Sequence, residues 1–261
     1  MTSLWADVRQ IGGYVRKEIS GDLVARMRVS CQQAGGPPIE EREPELLGKL
    51  DLTKLESVRR PGVHKNQKHI PGFFWMEQTQ DLVWYESRLE MLILKTLDHE
   101  RDVAAVIAQP FLLSFPDESK VRTHVPDFLL VLKNGPSVLV NVKPKRYVDT
   151  PRNAKSFAAC QHLADRLNWE YITRSEPVKA YAANVIWLNG YKRYPFALNE
   201  FRNELLRRVQ QRVSIEIALQ GLEPAALARP ALFHLMWSRE IDFDSTKILS
   251  DETILSPGEV R

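Results

Sequence analysis

Cysteine is nearly missing from this sequence: Cys31 and Cys160 are the whole complement, far apart in the chain. Neither lies in a Cys-x-x-Cys pair or a Cys/His cluster, so neither a zinc site nor a disulfide is expected. Long apolar runs are missing too. No stretch approaches the roughly 18–20 continuous apolar residues of a membrane helix. Met1 to Met27 carries Asp7, Arg9, Lys17, Glu18 and Asp22, and lacks the apolar core and small-residue cleavage site of a signal peptide. These absences predict a soluble, cytoplasmic protein with no membrane partner. A surplus of one charge is also missing. The 36 basic and 33 acidic residues leave a net charge of +3, which alone gives no reason to expect nucleic acid. No internal repeat or low-complexity tract is visible.

What is present is ordinary globular composition, 44% hydrophobic and 26% charged, over 261 residues. That length suits one large domain or two modest ones and is ample for a core. The basic charge is unevenly spread. Arg59, Arg60, Lys65 and Lys68, with His64 and His69, stand together without an acid. Lys143, Lys145, Arg146, Arg152 and Lys155 stand together against Asp149 alone. Local basic stretches in a near-neutral chain suit a protein that meets phosphate on one face. The plain alternative is a solvated surface.

Residues 1–71 read as an N-terminal extension, helical and basic. Helices are expected over Leu4–Glu18 and Ser20–Gln33, and Gly35, Gly36, Pro37 and Pro38 then break regular structure. Glu40–Leu55 carries Leu46, Leu47 and Leu50 at helical spacing. From Gly72 the pattern is more regular. Phe73–Trp75 and Asp81–Tyr85 read as extended, and Glu86–Leu97 as an amphipathic helix with Leu89, Leu92, Ile93 and Leu97 on one face. Val103–Phe115 is β-rich, and Pro116, Asp117 and Glu118 suit a turn. His124–Leu132 and Ser137–Val142 read as strands of a hairpin turning at Lys133, Asn134 and Gly135. A helix over Asn153–Leu167 and a strand over Trp169–Thr173 close the region. Further on, a long helix is expected over Asn199–Ala218, a helical turn at Pro224–Ala228, a helix over Pro230–Trp237 and a hairpin over Ile241–Leu255. Helices followed by a small hairpin suggest a winged-helix-like module. The fold class is therefore α/β: a mixed sheet flanked by helices over residues 72–175, then a helical or winged-helix-like module over 176–261.

Three positions stand out chemically. Asp127 lies inside the apolar run Val125-Pro126-Asp127-Phe128-Leu129-Leu130-Val131, where an acid is costly without a cation beside it. Lys143 ends the next strand, and the turn at Asn134 and Gly135 can bring the two strand ends together. Glu86 and Glu90 lie one helical turn apart and can face the same way. Such a set suits metal-dependent phosphodiester hydrolysis. Carboxylates hold Mg²⁺, which needs hard oxygen ligands. The lysine orients water or stabilises developing negative charge. The bland reading makes Asp127 a turn cap and Lys143 a solvated strand end. Gln109, before Pro110, points at the site or at a phosphate, or is an ordinary edge-strand polar residue. His124 is a further general-base candidate.

The runs Trp84-Tyr85-Glu86-Ser87-Arg88-Leu89-Glu90, Ala108-Gln109-Pro110-Phe111, Val125-Pro126-Asp127-Phe128-Leu129 and Asn141-Val142-Lys143-Pro144, in that order, resemble the TnsA family. These are endonuclease subunits of heteromeric transposases with a restriction-endonuclease-like PD-(D/E)XK fold. The resemblance spans about Gly72 to Thr173. The segment from Ser238-Arg239-Glu240 to Ser250-Asp251-Glu252-Thr253 is similar to tails of some family members. It implies that Glu90 matches the helix glutamate, Asp127 the metal-binding aspartate and Lys143 the active-site lysine. The Val142 carbonyl and Glu86 are further candidate ligands, and Mg²⁺, with Mn²⁺ as substitute, is the implied cofactor. Lys145, Arg146, Arg59, Arg60, Lys65 and Lys68 are the candidate DNA contacts.

The implied activity is cleavage of double-stranded DNA at the 5′ ends of a transposon. The implied partners are a DDE transposase and an AAA+ ATPase regulator, the latter reached through the C-terminal module. One position departs from the general superfamily motif. An acid is usual two residues before the lysine, and Asn141 stands there; the TnsA group tolerates an amide. The alternatives are a stand-alone restriction or defence nuclease of the same fold, and a non-catalytic DNA-binding scaffold whose nuclease core has decayed.

Overall fold

A computed structural model of the chain describes residues 26–59, 70–100, 103–118, 120–193 and 199–258. The helix expected at Leu4–Glu18 and the basic residues Arg60, Lys65 and Lys68 lie outside the described residues. The fold is mixed α/β and falls into two compact units. The first takes the described residues of Met1–Phe73, Val83–Glu90 and Asp102–Ser175; the second takes those of Phe74–Leu82, Met91–Arg101 and Glu176–Arg261.

The first unit holds two four-stranded sheets. Strands β1 (Arg28–Cys31), β2 (Ile39–Arg42), β6 (Leu112–Asp117) and β7 (Lys120–His124) form one, ordered β2-β1-β6-β7 and antiparallel throughout. Here the sequence expectation needs correction. The helix expected through Ser20–Gln33 gives way to β1, in which Val29 and Cys31 are buried while Arg28 and Ser30 are half-buried. That alternation of period two is too short to announce itself. Leu46, Leu47 and Leu50 lie in or beside a 3-10 turn, Pro44–Lys49, not in an α-helix. Strand β6 runs on through Pro116 and Asp117, the turn falls at Glu118 with φ +56, and β7 returns along it.

The second sheet is mixed. It comprises β5 (Val103–Ala108), β8 (Phe128–Leu132), β9 (Val138–Val142) and β10 (Glu170–Arg174), ordered β10-β9-β8-β5. The hairpin expected between β8 and β9 forms, with Phe128 opposite Val140, but its first strand is shorter than expected: His124 ends β7 in the other sheet, and Val125, Pro126 and Asp127 precede β8. β10 runs parallel to β9, and the connection between them carries the short helix α2 (Lys145–Val148) and the long helix α3 (Pro151–Leu167). A parallel pair needs such a crossover. The helix expected over Asn153–Leu167 forms as α3, starting two residues earlier at Pro151. It buries Phe157, Cys160 and Ala164 and ends at Asn168 in the left-handed conformation, φ +54. Val29, Phe111 and Leu113 share one buried cluster with Leu129, Leu139, Cys160 and Leu163, so both sheets and α3 meet in one core.

β3 (Gly72–Met76) and β4 (Asp81–Tyr85) form where the pattern places them, but helix α1 (Arg88–Glu100) starts two residues later than expected, so Glu86 precedes the helix and does not share a face of it with Glu90. Both cysteines are buried and unpaired, as the sequence suggested.

The second unit packs α4 (Lys179–Leu188), α5 (Asn199–Val209), α6 (Ile215–Leu219) and α7 (Ala225–Trp237) around Leu205, Ile215, Leu232, Trp237 and Leu255. The single helix expected over Asn199–Ala218 is two. Arg212 takes φ +53, and Ser214 starts the next helix by accepting the Ile217 N–H. The two helical pieces expected over 224–237 are one, with Pro230 inside it. Its ring removes one backbone donor, a cost that the buried face of Ala231, Leu232, Leu235 and Met236 outweighs. β11 (Ile241–Phe243) and β12 (Leu255–Pro257) then form the expected antiparallel pair. Among the described residues no helix is long and apolar enough to cross a membrane.

Candidate active site

Register gathers the chemistry at one end of the mixed sheet. Ala108 pairs with Phe128, Phe128 with Val140, and Val142 with Arg174. The start of β8 therefore lies beside the ends of β5, β9 and β10. Asp127 occupies that start. Its N–H donates to the Val140 carbonyl at 3.1 Å, and its carbonyl accepts the Gln109 N–H at 2.9 Å. Its Oδ2 accepts the Val142 N–H at 2.6 Å.

That last bond orients β9. Lys143 N–H goes to the Arg174 carbonyl at 2.9 Å, on the β10 side. Neighbouring residues of a strand turn their backbone groups to opposite edges. The Val142 carbonyl therefore shares the edge of its own N–H, next to the Asp127 carboxylate.

Glu90 arrives from the first turn of α1 through a Ser-x-x-Glu capping box. The Ser87 hydroxyl accepts the Glu90 N–H at 3.2 Å and donates to Glu90 Oε1 at 2.7 Å. Glu90 Oε2 accepts the Glu86 N–H at 2.7 Å. The cap holds the carboxyl in a buried position, 8% exposed. Desolvation pushes Glu90 above the usual carboxylate range, against its two hydrogen bonds. Asp127 is pushed up to about 7, chiefly by desolvation at its carboxyl and next by the neighbouring charge of Glu90. Lys143 acts on both acids in the opposite sense. The structure thus brings Glu90, Asp127 and Lys143 together.

Glu86 and Asn141 are otherwise engaged. Glu86 is half-exposed and pairs with Arg59 at 3.7 Å. Asn141 is fully buried; its Oδ1 accepts from His124 Nε2 at 2.9 Å and its Nδ2 donates to the Tyr171 hydroxyl at 2.9 Å. The Tyr171 hydroxyl lies 3.1 Å from Thr173 Oγ1, extending the chain along β10. Burial lowers His124 from its ordinary value, and Lys143 and Arg59 lower it further. Burial pushes Cys160 up to about 12, against a hydrogen bond to Asn141, so its thiol stays protonated.

Sequence reasoning overlooked Ser87, which holds Glu90, and Tyr171, which holds Asn141. The Ser-x-x-Glu spacing was a readable signal for the first; nothing local announced the second. Lys145 and Arg146 follow on exposed α2, where the Arg146 guanidinium lies 4.7 Å from the Tyr147 ring centroid.

The donor set at the sheet end is all oxygen: two carboxylates and a backbone carbonyl. It suits a hard divalent cation, whose charge would relieve the crowding of Glu90 and Asp127. Among the described residues no group of three or more His, Cys, Asp or Glu is spaced to hold a metal ion. A site here therefore depends on the carbonyl or on an amide as its third protein ligand.

Residues 100–176 match the family model described as TnsA-like endonuclease N terminal. The match takes in Asp127, Asn141 and Lys143 and begins after Glu90. It supports a TnsA-like endonuclease assignment for that segment, a nuclease domain related to transposase subunits. No curated protein matches the chain.

Proposed function

We propose that the chain is a Mg²⁺-dependent DNA endonuclease of the restriction-endonuclease-like fold, cutting the 5′ ends of a transposon within a heteromeric transposase. The observation that carries this reading is the meeting of Glu90, Asp127 and Lys143 at one sheet end, the last two inside the TnsA-like segment. Glu90, Asp127 and the Val142 carbonyl would hold the ion. When bound, Mg²⁺ polarises a phosphoryl oxygen and makes water a better nucleophile. The protein's own groups do the rest. The capping box fixes Glu90, and the Val142 N–H fixes Asp127, so both carboxylates wait in place. Lys143 stabilises the negative charge that grows on the phosphate as water attacks and the 3′ oxygen leaves. The products are a 5′-phosphate and a 3′-hydroxyl. Lys145, Arg146 and Arg59 grip the DNA backbone beside that centre.

The partners in this reading are a DDE transposase for the 3′ ends and an AAA+ ATPase regulator. The second unit, with its helices and the β11–β12 pair, serves as the winged-helix-like docking module. The test is a calorimetric titration of Mn²⁺ into the full chain and into Asp127→Ala, with and without a short duplex. Binding that disappears in the variant supports the nuclease. No binding by either protein, with or without DNA, overturns it in favour of a scaffold with a decayed site.

A further inference from the structure

Asn141 stands where an acid usually ligates, yet both its polar atoms are engaged with His124 and Tyr171. A second amide lies across the sheet. Gln109 is the first residue past the Ala108–Phe128 pair, so it stands opposite Asp127. Its backbone is pinned on both sides: its N–H donates to the Asp127 carbonyl at 2.9 Å, and its carbonyl accepts the Val58 N–H at 3.0 Å. The bond to the Asp127 carbonyl thus holds the two residues side by side at the mouth of the sheet, just past the last regular pair.

Two features of Gln109 work against stability. Its φ is +48, in the left-handed region that a long side chain rarely adopts. It is 3% exposed, and its Oε1 has no hydrogen-bond partner among the described residues. A buried acceptor without a donor destabilises the fold, and left-handed backbone at a long side chain adds strain to it. Backbone strain and unmet polar atoms collect where a protein binds something. A neutral amide oxygen is a hard-cation ligand, and this one belongs to the residue whose backbone is bonded to Asp127.

We propose that Gln109 Oε1, and not Asn141 Oδ1, is the side-chain amide ligand of the candidate cation site. The inference rests on the metal-dependent reading above. Asn141 is then a positioning residue, tying β9 to His124 and Tyr171, and the amide donor comes from the end of β5.

Mn²⁺ titration into the full chain tests this, with thermal unfolding in EDTA as the second readout. Gln109→Leu is expected to lower Mn²⁺ affinity about tenfold. Its thermal midpoint in EDTA is expected to hold or rise, because the substitution removes an unmet polar atom. Gln109→Glu is expected to bind Mn²⁺ more tightly than the wild type. Asn141→Ala is expected to lose stability but keep Mn²⁺ affinity. Wild-type affinity in Gln109→Leu overturns the proposal, as does lost affinity in Asn141→Ala alone. If Gln109→Leu fails to fold, Gln109→Glu decides: weaker binding overturns the proposal. If the wild type takes up no Mn²⁺ with or without duplex, the metal-dependent reading itself fails, an outcome distinct from a failure at Gln109.

Discussion

Two buried aspartates, one in each unit, invite comparison. Asp98, in the second unit, accepts the Glu77 and Gln78 N–H groups at 3.1 Å each, and Lys192 Nζ lies 3.4 Å away. Lys192 also donates to the Trp75 carbonyl and sits 4.2 Å from the Phe74 ring centroid. Asp127, in the first unit, takes one N–H and faces Glu90. Desolvation raises both acids. Burial is thus common to the two, and the neighbours separate them. A carboxylate whose oxygens are filled and whose neighbour is a cation is a tie within the fold. A carboxylate that faces another acid, with Lys143 offsetting only part of the repulsion and burial, gains most in the charged form when a further cation arrives.

The comparison breaks if the two acids respond alike to substitution. Asp98→Ala leaves Lys192 and two backbone donors facing a hole. It should cost about 3–5 kcal/mol, read from denaturant unfolding. Asp127→Asn should do the reverse in EDTA. The unfolded carboxyl releases its proton near pH 4, whereas in the folded chain Asp127 is pushed up to about 7. Its charge therefore destabilises the native state fully above pH 7, progressively less between those values, and not at all below the lower one. The thermal midpoint of Asp127→Asn should exceed that of the wild type at pH 8, with the gap closing by pH 4. A gap that widens toward acid would show that Asp127 is held charged, like a paired acid.

Smaller effects sharpen the contrast. Ser87→Ala removes the hydroxyl from the capping box and should cost about 1 kcal/mol. It should also loosen Mn²⁺ binding, because Glu90 loses a tether; stability loss with unchanged affinity would make the cap purely structural. Arg59→Ala should be nearly silent in unfolding, under about 1 kcal/mol. Its pair with Glu86 has side chains 52% and 38% exposed, against 12% and 0% for Lys192 and Asp98. Its effect should appear in duplex binding measured by anisotropy.

Much of this was legible in the chain. An acid inside the apolar run before β8, a hairpin turn at Asn134 and Gly135, and a lysine at the end of β9 are enough to set Asp127 and Lys143 near one another from sequence alone. The amphipathic period of α1 and α3 was strong enough to survive. Local pattern failed at β1 and β7. β1 is four residues long, and the exposed and half-buried residues of edge strand β7 give no apolar face to read. It also failed at the break between α5 and α6, where a left-handed arginine and a serine cap interrupt a helical pattern. The state of Asn141 was unreadable because its partners, His124 and Tyr171, reach it through register and not through spacing.

The bond from the Val142 N–H to the Asp127 carboxylate has one more consequence. The last rung of the β8–β9 ladder is made by a side chain. In the nuclease reading, position 127 serves as architecture and chemistry at once, and the two can be pulled apart. An asparagine there keeps an oxygen for the rung and gives up the charge, whereas an alanine unzips the sheet by one step. A chain that abandoned catalysis through asparagine would keep its outline and its place in any assembly. It would be an inert copy that still fills the seat of the working subunit.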